Sequence, residues 1–200
     1  MNRDILFPPE WHQQSAVQLT WPHQDSDWSY LLDEVNNCFV NITKEIIKHE
    51  HLIIVCKDIQ SVKSQLGDLD DNGKINFVEI TSNDTWARDH GGISVYINGQ
   101  PTVYDFTFNG WGLKFPANFD NQITKKMFEL KAFSRDIERV NKKNFILEGG
   151  ALETDGRGTL LTTSECLLSP NRNPHLSKAE IETFLKENLG LKRVLWLDYG

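Results

Sequence analysis

The chain has no basic tract. Its 21 lysines and arginines are interspersed among 28 aspartates and glutamates, for a formal net charge of -7 over 200 residues. Nothing in it offers the cationic stripe that a nucleic-acid groove requires. No apolar run approaches the length of a membrane span. The opening MNRDILFPPEWHQQ lacks an apolar segment behind a basic one, which predicts an unexported, cytoplasmic protein. Cysteine is scarce: Cys38, Cys56 and Cys166 are odd in number and widely spaced, so neither a disulfide framework nor a zinc ribbon is expected. The N-x-[ST] matches at Asn41 and Asn83 would matter only in a secreted chain. The histidines, His12, His23, His49, His51, His90 and His175, form no H-x-x-x-H pair, and no metal centre is expected. Gly91-Gly92, Gly149-Gly150 and Gly110-Trp111-Gly112 lack the spacing of a phosphate loop or dinucleotide fingerprint, so no nucleotide cofactor is expected either. No Pro/Gly-rich linker or low-complexity break divides the chain, which predicts one architecture over residues 1–200.

What is present is an ordinary globular composition, 39% hydrophobic and 24% charged. Leu31, Leu32, Val35, Phe39, Ile42 and Ile46 recur at three- and four-residue steps, predicting a covering helix after cap candidates at Asp25, Ser26 and Asp27. Short β-rich runs occupy 17–21, 52–55, 75–80, 93–97, 102–106, 159–163 and 194–197. A further helix is predicted over 123–133, and a last one between a capping box, Ser177 with Glu180, and a stop at Gly190. The class is α/β throughout.

Asp68, Asp70, Asn72, Gly73 and Glu79 satisfy the spacing of a calcium loop. The residues after it alternate like a strand, whereas an EF-hand needs a helix there, so an acidic Asn-Gly turn between helix and strand is expected instead. Two acids, Asp89 and Glu148, sit beside glycine pairs, where a sharp turn would aim a carboxylate into a pocket. The plain alternative for Asp89 is a pair with Arg88 or a turn cap. His90, next to Asp89, is the candidate acid/base, and Cys166 the candidate nucleophile. For all three cysteines a small packed thiol is the plainer reading, most of all for Cys38 and Cys56, which lie inside apolar periodic segments.

Four motifs in order, Trp86-Ala-Arg88-Asp89-His-Gly, Phe108-Asn109-Gly110-Trp111-Gly112, Leu147-Glu148-Gly149-Gly150, and Thr162 to Ser177 with its Asn171-Arg172-Asn173-Pro174 core, resemble the successive signatures of agmatine deiminases. The Phe7 to His12 opening and Trp21-Pro22-His23 extend the likeness over essentially the whole chain. The resemblance implies a pentein-type α/β propeller of five pseudo-symmetric units, of which these residues would supply roughly the first three. It also implies conversion of agmatine to N-carbamoylputrescine and ammonia, a step of polyamine metabolism, without metal or organic cofactor. By motif match Asp89 would hold the substrate guanidinium, Glu148 would contact it and support a catalytic histidine, and Trp86 and Trp111 would wall the pocket. The nucleophilic cysteine and the His-x-Asp histidine of the family are expected beyond Gly200, so this portion alone is expected to be inactive, as part of a longer protein. Gly92 stands where the family usually has proline, and Leu113 where a further glycine is common. These departures loosen the agmatine assignment more than the guanidine chemistry. A bacterial-type peptidyl-arginine deiminase is the nearest alternative, and a non-catalytic guanidinium- or partner-binding remnant the next. A homo-oligomer is compatible with any of them.

Overall fold

In the computed structural model, residues 4–69 and 71–199 are described. They carry three separate sheets and fall into two compact units built from interleaved segments. In chain order the elements are β1 (Ile5–Leu6), β2 (Ala16–Thr20), α1 (Leu32–Ile46), β3 (His51–Cys56), α2 (Ile59–Leu66), β4 (Ile75–Glu79), α3 (Ala87–His90), β5 (Ile93–Ile97), β6 (Gln100–Thr107), α4 (Gly110–Leu113), α5 (Ile123–Glu129), β7 (Glu138–Ile146), β8 (Glu153–Thr154), β9 (Thr159–Thr163), α6 (Ser164–Leu167), α7 (Lys178–Leu189) and β10 (Arg193–Leu197).

One unit comprises residues 13–87 and 118–132. Its sheet, β2-β3-β4, is wholly parallel. The middle strand is an unbroken apolar run from Leu52 to Cys56, buried on both faces, as the centre of a parallel sheet demands. Trp21, Ile47, Leu52, Ile54, Val62 and Leu66 form the core. The Asp58 carboxylate caps α2, accepting from the backbone N–H groups of Gln60 and Ser61 at 2.8 and 3.1 Å, and Gly67 at φ 62° ends it.

Between α2 and β4 the expected acidic turn is present. Asp71 accepts from the N–H groups of Gly73 and Ile75, and the chain enters a strand, with Glu79 as its last residue. Asp70, one of the calcium-loop positions, lies outside the described residues. The predicted cap of α1 is corrected: Ser29–Leu31 form a 3-10 turn that runs into the helix, whose start has no side-chain cap. Ser26 bonds the His23 carbonyl instead. Cys38 is exposed on the outer face of α1, not packed, whereas Cys56 is buried and its thiol pushed up to about 11 by that burial. The helix predicted over 123–133 is shorter, because Lys131 adopts φ 58° just past it.

The other unit comprises residues 4–12, 88–117 and 133–199. It holds a four-stranded sheet, β1-β5-β6-β7, antiparallel except for the parallel β6-β7 pair, and a three-stranded sheet, β10-β9-β8. Asn98-Gly99, at φ 50° and 80°, close the β5-β6 hairpin with the left-handed pair that a two-residue turn requires. The long strand β7 does not read as a strand because Arg139, Asn141, Lys142, Lys143 and Asn144 break its apolar pattern. Two of these cations are held by the buried carboxylate of Asp105 on β6: Arg139 at 2.6 Å and Lys143 at 2.7 Å. The core packs Tyr104, Phe106, Phe145 and Leu160 against Ile181, Leu185 and Leu189 of α7, with Phe145 and Phe184 stacked at 3.9 Å. The capping box of α7 is complete and Gly190 closes it in the left-handed conformation. Both match expectation.

Candidate active site

Asp89 lies in the single turn α3, just before β5. Its Oδ1 accepts from the Gly150 N–H at 3.2 Å and its Oδ2 from the Trp111 indole N–H at 3.3 Å. Arg88 is turned away from it. Its guanidinium pairs with Glu10 at 2.5 Å and with Glu153 at 3.6 Å, and donates to the Leu152 carbonyl. The alternative Arg88–Asp89 pair is therefore replaced by a tether that fixes the backbone on which Asp89 sits.

Glu148 follows β7 by two residues and is 2% exposed. Gly149-Gly150 after it press directly on α3. A β-carbon at Gly149 would overlap the Arg88 carbonyl oxygen, and one at Gly150 would overlap Asp89 Oδ1. The glycine pair is what allows the two acid-bearing segments to meet.

Burial pushes the carboxyls of both Asp89 and Glu148 up. For Asp89 the Trp111 and Gly150 donors oppose that shift. For Glu148 the opposing influence is Arg172, while the charge of Asp89 adds to the rise. Asp89 and Glu148 are thus both desolvated carboxyls, and the charge of the first bears on the second.

Trp111 is held in an unusual way. Gly110, Trp111, Gly112 and Leu113 all have positive φ, at 67°, 57°, 79° and 65°, so α4 is a left-handed turn. Glycine adopts this conformation freely, but Trp111 and Leu113 each cost about 1–2 kcal/mol there. The Asn109 carboxamide stabilises the turn, accepting from Gly112 N–H at 2.9 Å and donating to the Asn171 carbonyl at 2.8 Å. The result is an indole aimed at Asp89, edge-on to both Phe108 and Phe115.

Leu113 is 72% exposed, so its side chain gains little in return for the strain. Leu113→Gly should therefore stabilise the chain by about 0.5–1 kcal/mol, the relieved strain exceeding the added unfolded-state entropy. A rise in the urea midpoint at unchanged slope checks this. A fall would mean that Leu113 packs where the geometry shows it open.

Trp86 belongs to the other compact unit. It is 40% exposed and lies tilted against Trp28 at 5.8 Å, and the Trp28 indole donates to Thr85 Oγ1 at 3.0 Å.

His90 is buried beside Phe108, and that burial lowers its imidazole to about 4, so the ring is neutral near pH 7. His90 is thus an interior residue packed against an aromatic ring rather than an exposed acid/base. Cys166 lies in the short helix α6, capped by Thr163 Oγ1, half-buried and beside Glu165. No group that would activate the thiol contacts it among the described residues. The residue that sequence reasoning quoted but did not single out is Arg172. It is 8% exposed, and its Nε lies 2.9 Å from both oxygens of Glu148. The signal was a lone arginine inside an Asn-Arg-Asn-Pro motif.

The family model of Porphyromonas-type peptidyl-arginine deiminases matches residues 6–200. The agmatine deiminase of Ectopseudomonas mendocina (strain ymp) is 38% identical over 201 residues, covering 97% of this chain and 53% of that protein. That of Pseudomonas aeruginosa (strain LESB58) is 37% identical, with the same coverage of 97% and 53%. Among solved structures, a Porphyromonas gingivalis protein provisionally described as an arginine deiminase is 53% identical, with a TM-score of 0.91 over 98% of this chain and 57% of that one. A Cys-to-Ser variant of the C. jejuni agmatine deiminase with substrate bound is 37% identical, with a TM-score of 0.89 over 99% of this chain and 57% of that one. The chain thus spans about half the length of the curated relatives it matches.

Proposed function

This chain belongs to the Porphyromonas-type peptidyl-arginine deiminase family, and on that premise we propose that it carries the guanidinium-holding part of an agmatine deiminase site, as the N-terminal part of a single catalytic domain. The observation that carries this reading is the pair Asp89 and Glu148, each fixed by hydrogen bonds and each desolvated, brought together through Gly149-Gly150. A guanidinium stays protonated at neutral pH, and its N–H groups are planar donors matched to carboxylates. Asp89 would orient one edge of the guanidinium. Glu148 would take another and support the histidine that manages the proton. Trp111 would wall the apolar stem of the substrate.

In the complete reaction a cysteine thiolate attacks the guanidinium carbon, and ammonia leaves with a proton from the histidine. Water then cleaves the S-alkylthiouronium, giving N-carbamoylputrescine and the free thiol. This reading places the cysteine and histidine in the half of the relatives that this chain does not span. No metal or organic cofactor enters it. The mixed α/β make-up, in three sheets, is compatible with a pentein-type propeller of which this chain would be roughly the first three of five units.

Agmatine titrated into the chain should give saturable binding by calorimetry, weakened at least tenfold by Asp89→Asn. No binding by the parent at millimolar agmatine would refute the reading for this part of the protein. The match to the Porphyromonas-type peptidyl-arginine deiminase model favours a second reading, in which the guanidinium belongs to an arginine side chain in a peptide. N-acetyl-arginine amide titrated in parallel separates the two: the agmatine reading expects agmatine to bind at least tenfold tighter.

A further inference from the structure

We propose that Arg172 is a positioning residue that sets the charge and aim of Glu148, leaving the site a single net negative charge to match one guanidinium. The inference deepens the guanidine reading above and rests on it for its meaning, but the geometry stands by itself.

Three successive residues lock onto the site. The Asn171 carbonyl accepts from Asn109, which holds the left-handed turn of Trp111. Arg172 Nε donates to both oxygens of Glu148 at 2.9 Å. The Asn173 carboxamide pairs with the Ile146 backbone in both directions, accepting at 3.0 Å and donating at 2.9 Å, two residues before Glu148. The segment 171–173 thus holds the Trp111 turn on one hand and the end of β7 with Glu148 on the other. Arg172 is the member of it that carries charge.

The charged groups that bear on the site are few. Asp89 acts on Glu148 from α3 and Arg172 from the 171–173 segment, and the charge of Arg88, though it reaches Asp89, is held by Glu10 and Glu153. With Arg172 present, two carboxylates and one guanidinium leave one negative charge. Without it, two desolvated carboxylates would face each other, and one would keep its proton, as like charges in a shared site do. The net charge would be the same, but a protonated Glu148 would present a neutral acid in place of the charged acceptor that a guanidinium N–H group needs. A single Nε placed midway between the two oxygens also fixes the plane of the carboxylate, leaving its outward lone pairs for a second donor.

The test is a carboxyl NMR titration of the chain labelled with ¹³C at glutamate Cδ, the Glu148 signal being assigned with Glu148→Gln. Arg172→Gln, shown to be folded by amide dispersion, should raise the Glu148 midpoint by at least one pH unit, a tenfold change in proton affinity. Arg172→Lys should fall between the two. In the parent, the Arg172 ¹⁵Nε shift should titrate with the Glu148 midpoint, a readout available even where the variants fail to fold. An unchanged midpoint in folded Arg172→Gln, or an Arg172 Nε signal that ignores Glu148, overturns the proposal. Agmatine binding measured from pH 5 to 8 then separates this idea from the one it deepens. If Arg172 moves the Glu148 midpoint but agmatine binds at no pH, the guanidine reading fails and the positioning role stands. If agmatine binds with a pH midpoint that Arg172→Gln leaves in place, the reading stands and the positioning role fails.

Discussion

Gly149→Ala is expected to destabilise the chain by about 3 kcal/mol or more, whereas Gly150→Ala is expected to leave it folded and to weaken agmatine binding at least tenfold. The two glycines are adjacent and meet the same neighbouring turn, yet what each would strike differs in kind. An added methyl at Gly149 overlaps the backbone carbonyl oxygen of Arg88. That carbonyl cannot rotate aside without displacing α3 and the Arg88 tether to Glu10 and Leu152. At Gly150 the methyl meets Asp89 Oδ1, the end of a side chain that can turn. Turning it sacrifices the bonds from Gly150 N–H and the Trp111 indole, and with them the orientation of the carboxylate toward a bound cation. Urea unfolding reads the first effect and calorimetry with agmatine the second. A Gly149→Ala chain as stable as its parent would show that the two segments do not meet so closely. A Gly150→Ala chain with parental affinity would remove Asp89 from the binding reading.

Sequence periodicity alone identified the elements in which one physical signal dominates. The unbroken run Leu52 to Val55 reads as a strand, and it is buried because the centre of a parallel sheet is apolar on both faces. The Ser177–Glu180 box and Gly190 bracket α7 because capping chemistry is local. Strand β7 escaped because its cations answer to Asp105 on a neighbouring strand, a pairing that no window of adjacent residues contains. The start of α1 was misplaced for the opposite reason. A strong local cap signal at residues 25–27 was spent on a turn within the preceding loop, where Ser26 bonds His23.

The candidate site divides in the same way. The two acids beside their glycine pairs are visible as motifs, and at Gly149-Gly150 the geometry supplies the reason for the glycines, which is close approach to Arg88 and Asp89 rather than flexibility. What could not be read was pairing. Whether Arg88 serves Asp89 or Glu10, and whether Glu148 stands alone or against Arg172, depends on contacts between residues far apart in sequence. His90 shows how adjacency misleads: it follows Asp89 directly but is buried against Phe108.

Asp120→Asn should make the chain more stable at neutral pH and nearly unchanged at pH 4. In the unit that holds it, Asp120 is 2% exposed, and its Oδ1 accepts from the N–H groups of Asn83 and Asp84 at 2.6 and 3.3 Å. Asn83 returns the bond, accepting from the N–H groups of Phe119 and Asp120 at 2.7 and 3.2 Å. This reciprocal latch pins the loop that leads to Trp86. Burial outweighs these donors and pushes the Asp120 carboxyl from 3.8 up to about 6, with the charge of Asp84 adding to the rise. The folded value lies above the unfolded one, so the fold favours the neutral acid. Its contribution is full below about pH 4 and is lost as pH rises through 6. A shift of about two units corresponds to roughly 3 kcal/mol of stability forgone at pH 7. An asparagine oxygen can accept the same two backbone donors and never ionises. Unfolding free energies of parent and variant at pH 4, 5, 6 and 7 should therefore diverge between pH 4 and 6 and level off above, at a difference of about 3 kcal/mol. Parallel curves would mean that Asp120 is already ionised at little cost in the folded chain, and that the latch is held by charge rather than in spite of it.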